Sequence, residues 1–186
     1  MISRELSALT RPTRFILTIL WFAMTASVVI YVGVCFAITQ GQEPWPIEAT
    51  VLYVMIAAAC STGAASWIVP GLMLSNERIR KHMRGDVDLE EMATNPQTRK
   101  LDEDRLARLR ELSDLDKRLA GLPAMYFAPF IVGIALAESV AIFGLVLTFL
   151  SKDMTYIVPF AIAAIALMLL RYPRLEPLFD RASKLV

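Results

Sequence analysis

Charge is almost absent from four long stretches of the chain and crowds into the segments between them. No Lys, Arg, Asp or Glu occurs over 15–38, 49–76 or 154–170, and over 119–151 Glu138 is the only one. A helix needs roughly 20 apolar residues to cross about 30 Å of hydrocarbon, and three of the stretches meet that length. The fourth, 154–170, covers only about 25 Å at the helical rise. Its apolar surface runs all round, however, and the long stem of Arg171 extends its reach toward the head groups. The pattern therefore predicts an all-α, polytopic membrane protein with four transmembrane helices near 15–38, 50–74, 124–150 and 155–171. Together they form a single membrane domain over 1–186 with a helical cytoplasmic loop at 75–122. The first stretch is too long for the core of a signal peptide and has no small-x-small cleavage site before Gln40, so it is read as a retained anchor.

Within the loop a second periodicity stands out. The run LDEDRLARLRELSDLDKRLAGL places Leu106, Leu109, Leu112, Leu115 and Leu119 three or four residues apart, which predicts an amphipathic helix over 101–119. Asp102 and Asp104 fall in its first turn and Lys117 and Arg118 in its last, in agreement with the helix dipole. Gly121 and Pro123 then stop it. The preceding run NERIRKHMRG continues the second span, and Asn95-Pro96 breaks the connection. A narrow leucine face can fold back on a neighbouring helix, lie on a membrane, or bind a partner through Leu106, Leu109 and Leu112. The acidic start of its polar face argues against the membrane surface, which favours Lys and Arg there.

Composition agrees with this division: 56% of the 186 residues are hydrophobic and 20% charged, with a net charge of +1. The loop carries eleven residues of each sign between Glu77 and Arg118, so it offers no nucleic-acid surface. Basic residues flank the first span at Arg4, Arg11 and Arg14, fill the loop, and follow the last span at Arg171, Arg174, Arg181 and Lys184, whereas TQGQEPWPIE has none. The positive-inside rule puts both termini and the loop in the cytoplasm, across a bacterial inner membrane or its organellar equivalent. Cys35 and Cys60 lie within spans and read as packing residues, and His82 stands alone in a charged segment, solvated. No spacing suggests a metal site or a cofactor, and no nucleophile–base set suggests an enzyme.

Glu138 is the exception that asks for a function. A charge at the centre of a bilayer costs about 2.5–3.5 kcal/mol on insertion scales, so such residues usually face protein or water and usually work. No Lys or Arg lies in another span to neutralise it, and removal from water favours the protonated, hydrogen-bonded acid. Candidate partners are Ser61 and Thr62 in AAACSTGAAS, at matching depth on the antiparallel second span, and Ser139; the first span offers Thr25 and Ser27. Small residues support that neighbour. Gly133, Ala137 and Ala141 repeat at four on the third span, Ala57, Ser61 and Ala65 do so on the second, and Gly63 lies in the same stretch, which lets backbones approach closely. Pro70 and Pro129 each free a carbonyl four residues earlier, at Ser66 and Met125.

The run GIALAESVAIFGLVLTFL, within residues 131–150, resembles the ion-carrying helix of the c subunit of rotary F-type and V-type ATP synthases. In that family a Gly/Ala-rich approach precedes a membrane-embedded Glu and an Ile-aromatic-Gly-Leu-Val run follows it. The resemblance implies reversible proton binding at Glu138. Phe143 stands where the family commonly has a Tyr, and no Gln appears in the second span, so H⁺ is favoured over Na⁺. It implies a small proton-binding membrane protein in contact with the lipid bilayer, as a homo-oligomer or within a larger complex. The alternative is an accessory or scaffold subunit in which Glu138 is structural and the loop helix recruits a partner.

Overall fold

The computed structural model describes residues 3–85, 88–94 and 100–185. Among them all regular structure is helical, apart from an isolated bridge between Thr94 and Leu101. The elements are α1 (Arg4–Thr39), α2 (Ala49–Met73), α3 (Asn76–Arg84), α4 (Leu89–Ala93), α5 (Glu103–Glu111), α6 (Asp114–Ala120), α7 (Leu122–Ser151), α8 (Ile157–Leu170) and α9 (Glu176–Ser183). By length and composition, α1, α2 and α7 belong to three helices able to cross a membrane, which fits an integral membrane protein. With the short 3-10 turn that precedes it, α8 forms a shorter apolar segment, Met154–Leu170. The expected break at Asn95-Pro96 lies outside the described residues.

Where a single domain was expected, the chain divides into two compact units. The apolar unit comprises Leu17–Leu72 and Pro129–Pro173. Its core is a set of narrow stripes, each at helical spacing: Leu17, Trp21, Val28 and Cys35 on α1, Ala59, Ser66 and Pro70 on α2, and Ile157, Ala161, Ala164 and Met168 on α8. The central helix is α7, whose apolar stretch is more deeply buried inside the protein than those of α1 and α2, which leave their other faces exposed. Two glycines set its approach to the neighbours. A Cβ on Gly144 would fall 2.6 Å from Phe160 Cβ on α8, and one on Gly133 would fall 3.1 Å from Pro70 Cγ on α2.

Polar groups at the helix ends complete this unit. Pro70 has no N–H to give the Ser66 carbonyl, and Arg171 Nη2 donates to that carbonyl instead. The guanidinium also lies 4.9 Å over the Trp67 ring, and the missing side chain of Gly133 leaves it room. Arg171 therefore turns into the protein, correcting the expectation that it reaches for the head groups; a freed carbonyl in an apolar wall is the stronger attraction. Trp21 Nε1 donates to the Met168 carbonyl at 2.8 Å, beside the Arg171 N–H that closes the last turn of α8 on the same oxygen.

The charged unit comprises Met1–Ile16, Met73–Ala128 and Arg174–Val186. Three of its helices, α3, α5 and α6, begin at a side-chain cap. Ser75 accepts from Arg78 N, Asp102 from Arg105 N and Ser113 from Asp116 N. The Ser113 cap splits the single helix expected over 101–119 into α5 and α6, because a serine that caps a new helix withdraws its backbone from the old one. Below the cap Leu106, Leu109 and Leu112 are buried with Ala93, while beyond it Leu115 is exposed. Likewise α3 is a separate helix and not a continuation of α2. His82 is half-buried, with Nε2 3.2 Å from the Arg118 carbonyl, so it is packed and not simply solvated. A Cβ on Gly121 would come within 2.7 Å of that nitrogen, so a side chain here would force the His82 ring to shift.

Candidate functional site

Glu138 sits near the middle of α7. Two hydroxyls converge on its Oε1: Ser27 Oγ, by a short hydrogen bond, and Tyr31 OH, at 2.7 Å. Ser27 and Tyr31 are four residues apart and so lie on one face of α1, beside Val28, which is fully buried in the core. Glu138 itself is half-buried within the protein and not fully enclosed as expected.

This geometry corrects the choice of partner. Ser61 Oγ is exposed and donates to its own helix, to the Ala58 carbonyl at 2.9 Å, and no hydrogen bond joins Ser61 or Thr62 to Glu138. Ser139 Oγ likewise donates to the Ala135 carbonyl at 2.9 Å. Depth was read nearly correctly: Gly63 lies against Val140 and Pro70 against Gly133, so the antiparallel register puts Ala65 level with Glu138. The face was not. The α2 stripe that meets α7 and α8 runs through Ala59, Gly63, Ser66 and Pro70, leaving Ala57 and Ser61 on the outside. A membrane helix can satisfy a serine on its own i−3 carbonyl, so a hydroxyl at the right depth need not point inward.

The packing residues divide in a similar way. Ala137 and Ala141 are fully buried in the apolar core, and Gly133 houses the Arg171 guanidinium. Gly63, in contrast, would tolerate a Cβ at ordinary distances of 3.6 Å from Leu167 and 3.8 Å from Val140. It lines an apolar groove of about 510 Å³ together with Ile56, Cys60 and Ala163, and is no close-contact residue. Sequence reasoning did not single out Tyr31 at all. Its available signal was the Ser27–Tyr31 spacing, two hydroxyls on one helical face at the depth of the acid.

The partner-binding reading of Leu106, Leu109 and Leu112 is overturned by burial. Leu106 is 7%, Leu109 1% and Leu112 4% exposed, and Leu9, Leu89, Met92 and Ala120 close over their cluster. A leucine face removed from water by its own chain has already gained about 1.5–3 kcal/mol per residue and has little left to offer a partner. Among the described residues there is no cluster of His, Cys, Asp and Glu that could hold a metal ion.

No family model matches the chain, and the comparisons with curated proteins and with solved structures found no match either. Any functional reading therefore stands on the site itself.

Proposed function

We propose that this chain is a small integral membrane protein that binds and releases a proton at Glu138, as an oligomer or as one subunit of a larger membrane complex. In this reading α1, α2, α7 and the shorter α8 all cross the bilayer, with both termini and the helical loop on the cytoplasmic side. The activity is binding, not catalysis, and it matches what the likeness of residues 131–150 to the rotary c-subunit helix implies. The hydroxyl that Phe143 lacks on α7 is supplied by Tyr31 from α1.

One observation carries the reading: Ser27 has two acceptors for a single hydrogen. Its Oγ lies within bonding distance of Glu138 Oε1 and also 2.7 Å from the Met24 carbonyl. A hydroxyl has one donor hydrogen and can also accept. With Glu138 ionised, the Ser27 hydrogen points at Oε1. When the carboxyl is protonated, its O–H donates to Ser27 Oγ, and the serine hydrogen turns to Met24. Both protonation states thus keep their hydrogen bonds without moving a helix, as a site that loads and unloads a proton requires.

The test is covalent labelling with dicyclohexylcarbodiimide, which enters lipid and attacks protonated carboxyls. Mass spectrometry of the labelled full-length protein is expected to place the adduct on Glu138, to show its loss as pH rises, and to find none in Glu138→Gln. An absence of labelling at every pH would reject the proposal.

A further inference from the structure

The carboxyl of Glu138 is only half satisfied by its own chain. Ser27 and Tyr31 both take Oε1, while Oε2 meets no donor among the described residues and is not enclosed by them. Glu138 lies on the outward side of α7, where Ile131, Ala135, Glu138, Ile142, Leu145 and Phe149 follow one another at spacings of four, three, four, three and four. That is an unbroken heptad seam, the period at which two helices wind together left-handedly. Ile131, Ile142 and Phe149 are exposed and the other three half-buried, so the seam is left unpartnered by the chain itself. The residues that α7 turns inward, such as Ala137, Val140 and Gly144, lie on its opposite side.

An apolar seam gains little by leaving lipid tails for another helix, but this one carries a polar residue near its centre. In a two-stranded seam a single polar core residue fixes register and orientation, because it is satisfied only where it meets its complement. Two copies inserted the same way, and related by a two-fold axis along the bilayer normal, bring equal depths together, so Glu138 meets Glu138. We infer that the outward seam of α7 is the interface of a parallel homodimer in which the two Glu138 carboxyls share a proton between their Oε2 atoms. The inference rests on the proton-binding reading, since one acid of the pair must be neutral: two carboxylates in contact cannot both stay ionised. With one proton on the pair, one Oε2–H donates to the other Oε2, and both Oε1 atoms keep Ser27 and Tyr31. The second proton is then the one carried at Oε1, which turns Ser27 toward Met24. Tyr31 is the one other titratable group that faces the pair, and neither α2 nor α8 brings a charged residue to that depth.

The full-length chain in phosphatidylcholine vesicles, with Cys60→Ser to remove the exposed native thiol, tests both parts. On mild oxidation Ile142→Cys, on the seam, is expected to cross-link to a dimer, and Ile162→Cys, exposed on α8, is not. Equal cross-linking at the two positions would overturn the face. Förster transfer between differently labelled copies, followed as lipid is added, gives the association constant. Glu138→Ala should lower it about tenfold, the worth of one strong interhelical hydrogen bond. Glu138→Gln, whose amide both donates and accepts, should stay within about twofold of the parent. An unchanged constant in Glu138→Ala would overturn the shared proton. Transfer at the level of random mixing would overturn the dimer and leave the face to lipid or to a different protein. Either failure with Glu138 still labelled by dicyclohexylcarbodiimide falls on this inference alone, whereas absence of labelling falls on the proton-binding reading.

Discussion

Three glycine-to-alanine substitutions in the apolar unit should differ in sign, because the added methyl meets a different neighbour in each. Relative to Gly, Ala favours a helix interior by about 1 kcal/mol. At Gly63 the new Cβ finds ordinary contacts, at 3.6 and 3.8 Å, so most of that gain should survive. At Gly144 it would lie 2.6 Å from Phe160 Cβ and 3.2 Å from Ile157 Cδ1; the first is no flexible side-chain end, so α7 and α8 must separate. Overpacking of this kind costs about 1–3 kcal/mol, leaving a net loss of about 1 kcal/mol. At Gly133 the methyl would take the place of the Arg171 guanidinium, whose Cζ is 3.0 Å away, and would break its bond to the Ser66 carbonyl. A hydrogen bond from a charged donor is worth about 1.5–3 kcal/mol, so this variant should be the least stable of the three. Reversible unfolding in mixed micelles titrated with sodium dodecyl sulfate reads all three on one scale, and the expected order is Gly63→Ala above the parent, then Gly144→Ala, then Gly133→Ala. In an Arg171→Met background the cost at Gly133 should largely vanish, since the displaced group is gone. Equal shifts for Gly63→Ala and Gly144→Ala would refute the close packing of α7 on α8.

Other positions give sharper contrasts. Leu109→Asp puts an unpaired carboxylate into a cluster where the leucine is 1% exposed and should cost at least about 3 kcal/mol, whereas Leu115→Asp, at a position 42% exposed, should stay within about 0.5 kcal/mol. Limited proteolysis at the arginines of α5 would separate the two. Trp21→Phe keeps most of the ring but loses the donor to the Met168 carbonyl, a change of about 1 kcal/mol readable in the same micelle titration. Gly121→Ala should destabilise the charged unit while His82 is present and much less in a His82→Ala background, a coupling that thermal melts of the four proteins would measure.

The helices were legible because a lipid crossing leaves a long uncharged run that no other structure needs. The expected spans 15–38, 50–74 and 124–150 fall within Arg4–Thr39, Ala49–Met73 and Leu122–Ser151 to a residue at most. Glu138 was legible for the same reason, as the one charge in its run. Which helix answers it was not. In a span that is apolar on every side, hydrophobic periodicity does not mark an inner face, so depth and small-residue spacing favoured Ser61 over Ser27; only packing showed that Ser61 faces outward and Ser27 inward. The Ser66 carbonyl freed by Pro70 was readable as a chemical vacancy, yet its occupant, Arg171, lies more than a hundred residues away. In the loop the leucine period held for Leu106, Leu109 and Leu112 and failed at Leu115, because the Ser113-x-x-Asp116 capping signal competed with it and was passed over.

Two readings of Glu138 remain in competition, and they differ in what Ser27 must do. If the carboxylate only ties α1 to α7, it stays ionised, accepting from Ser27 and Tyr31 at all times. Glu138→Gln then preserves the tie, because an amide oxygen can accept the same two hydrogens. If Glu138 loads a proton, a neutral carboxyl must exist and must give its hydrogen to Ser27, while the serine turns to Met24. Infrared difference spectra between the parent protein and Glu138→Gln should then contain the carbonyl stretch of a protonated acid at low pH. Ser27→Ala should move that band to higher wavenumber by removing its acceptor, and Ser27→Thr should restore it. A spectrum without the band at any pH would leave the carboxylate as a permanent strut between two helices.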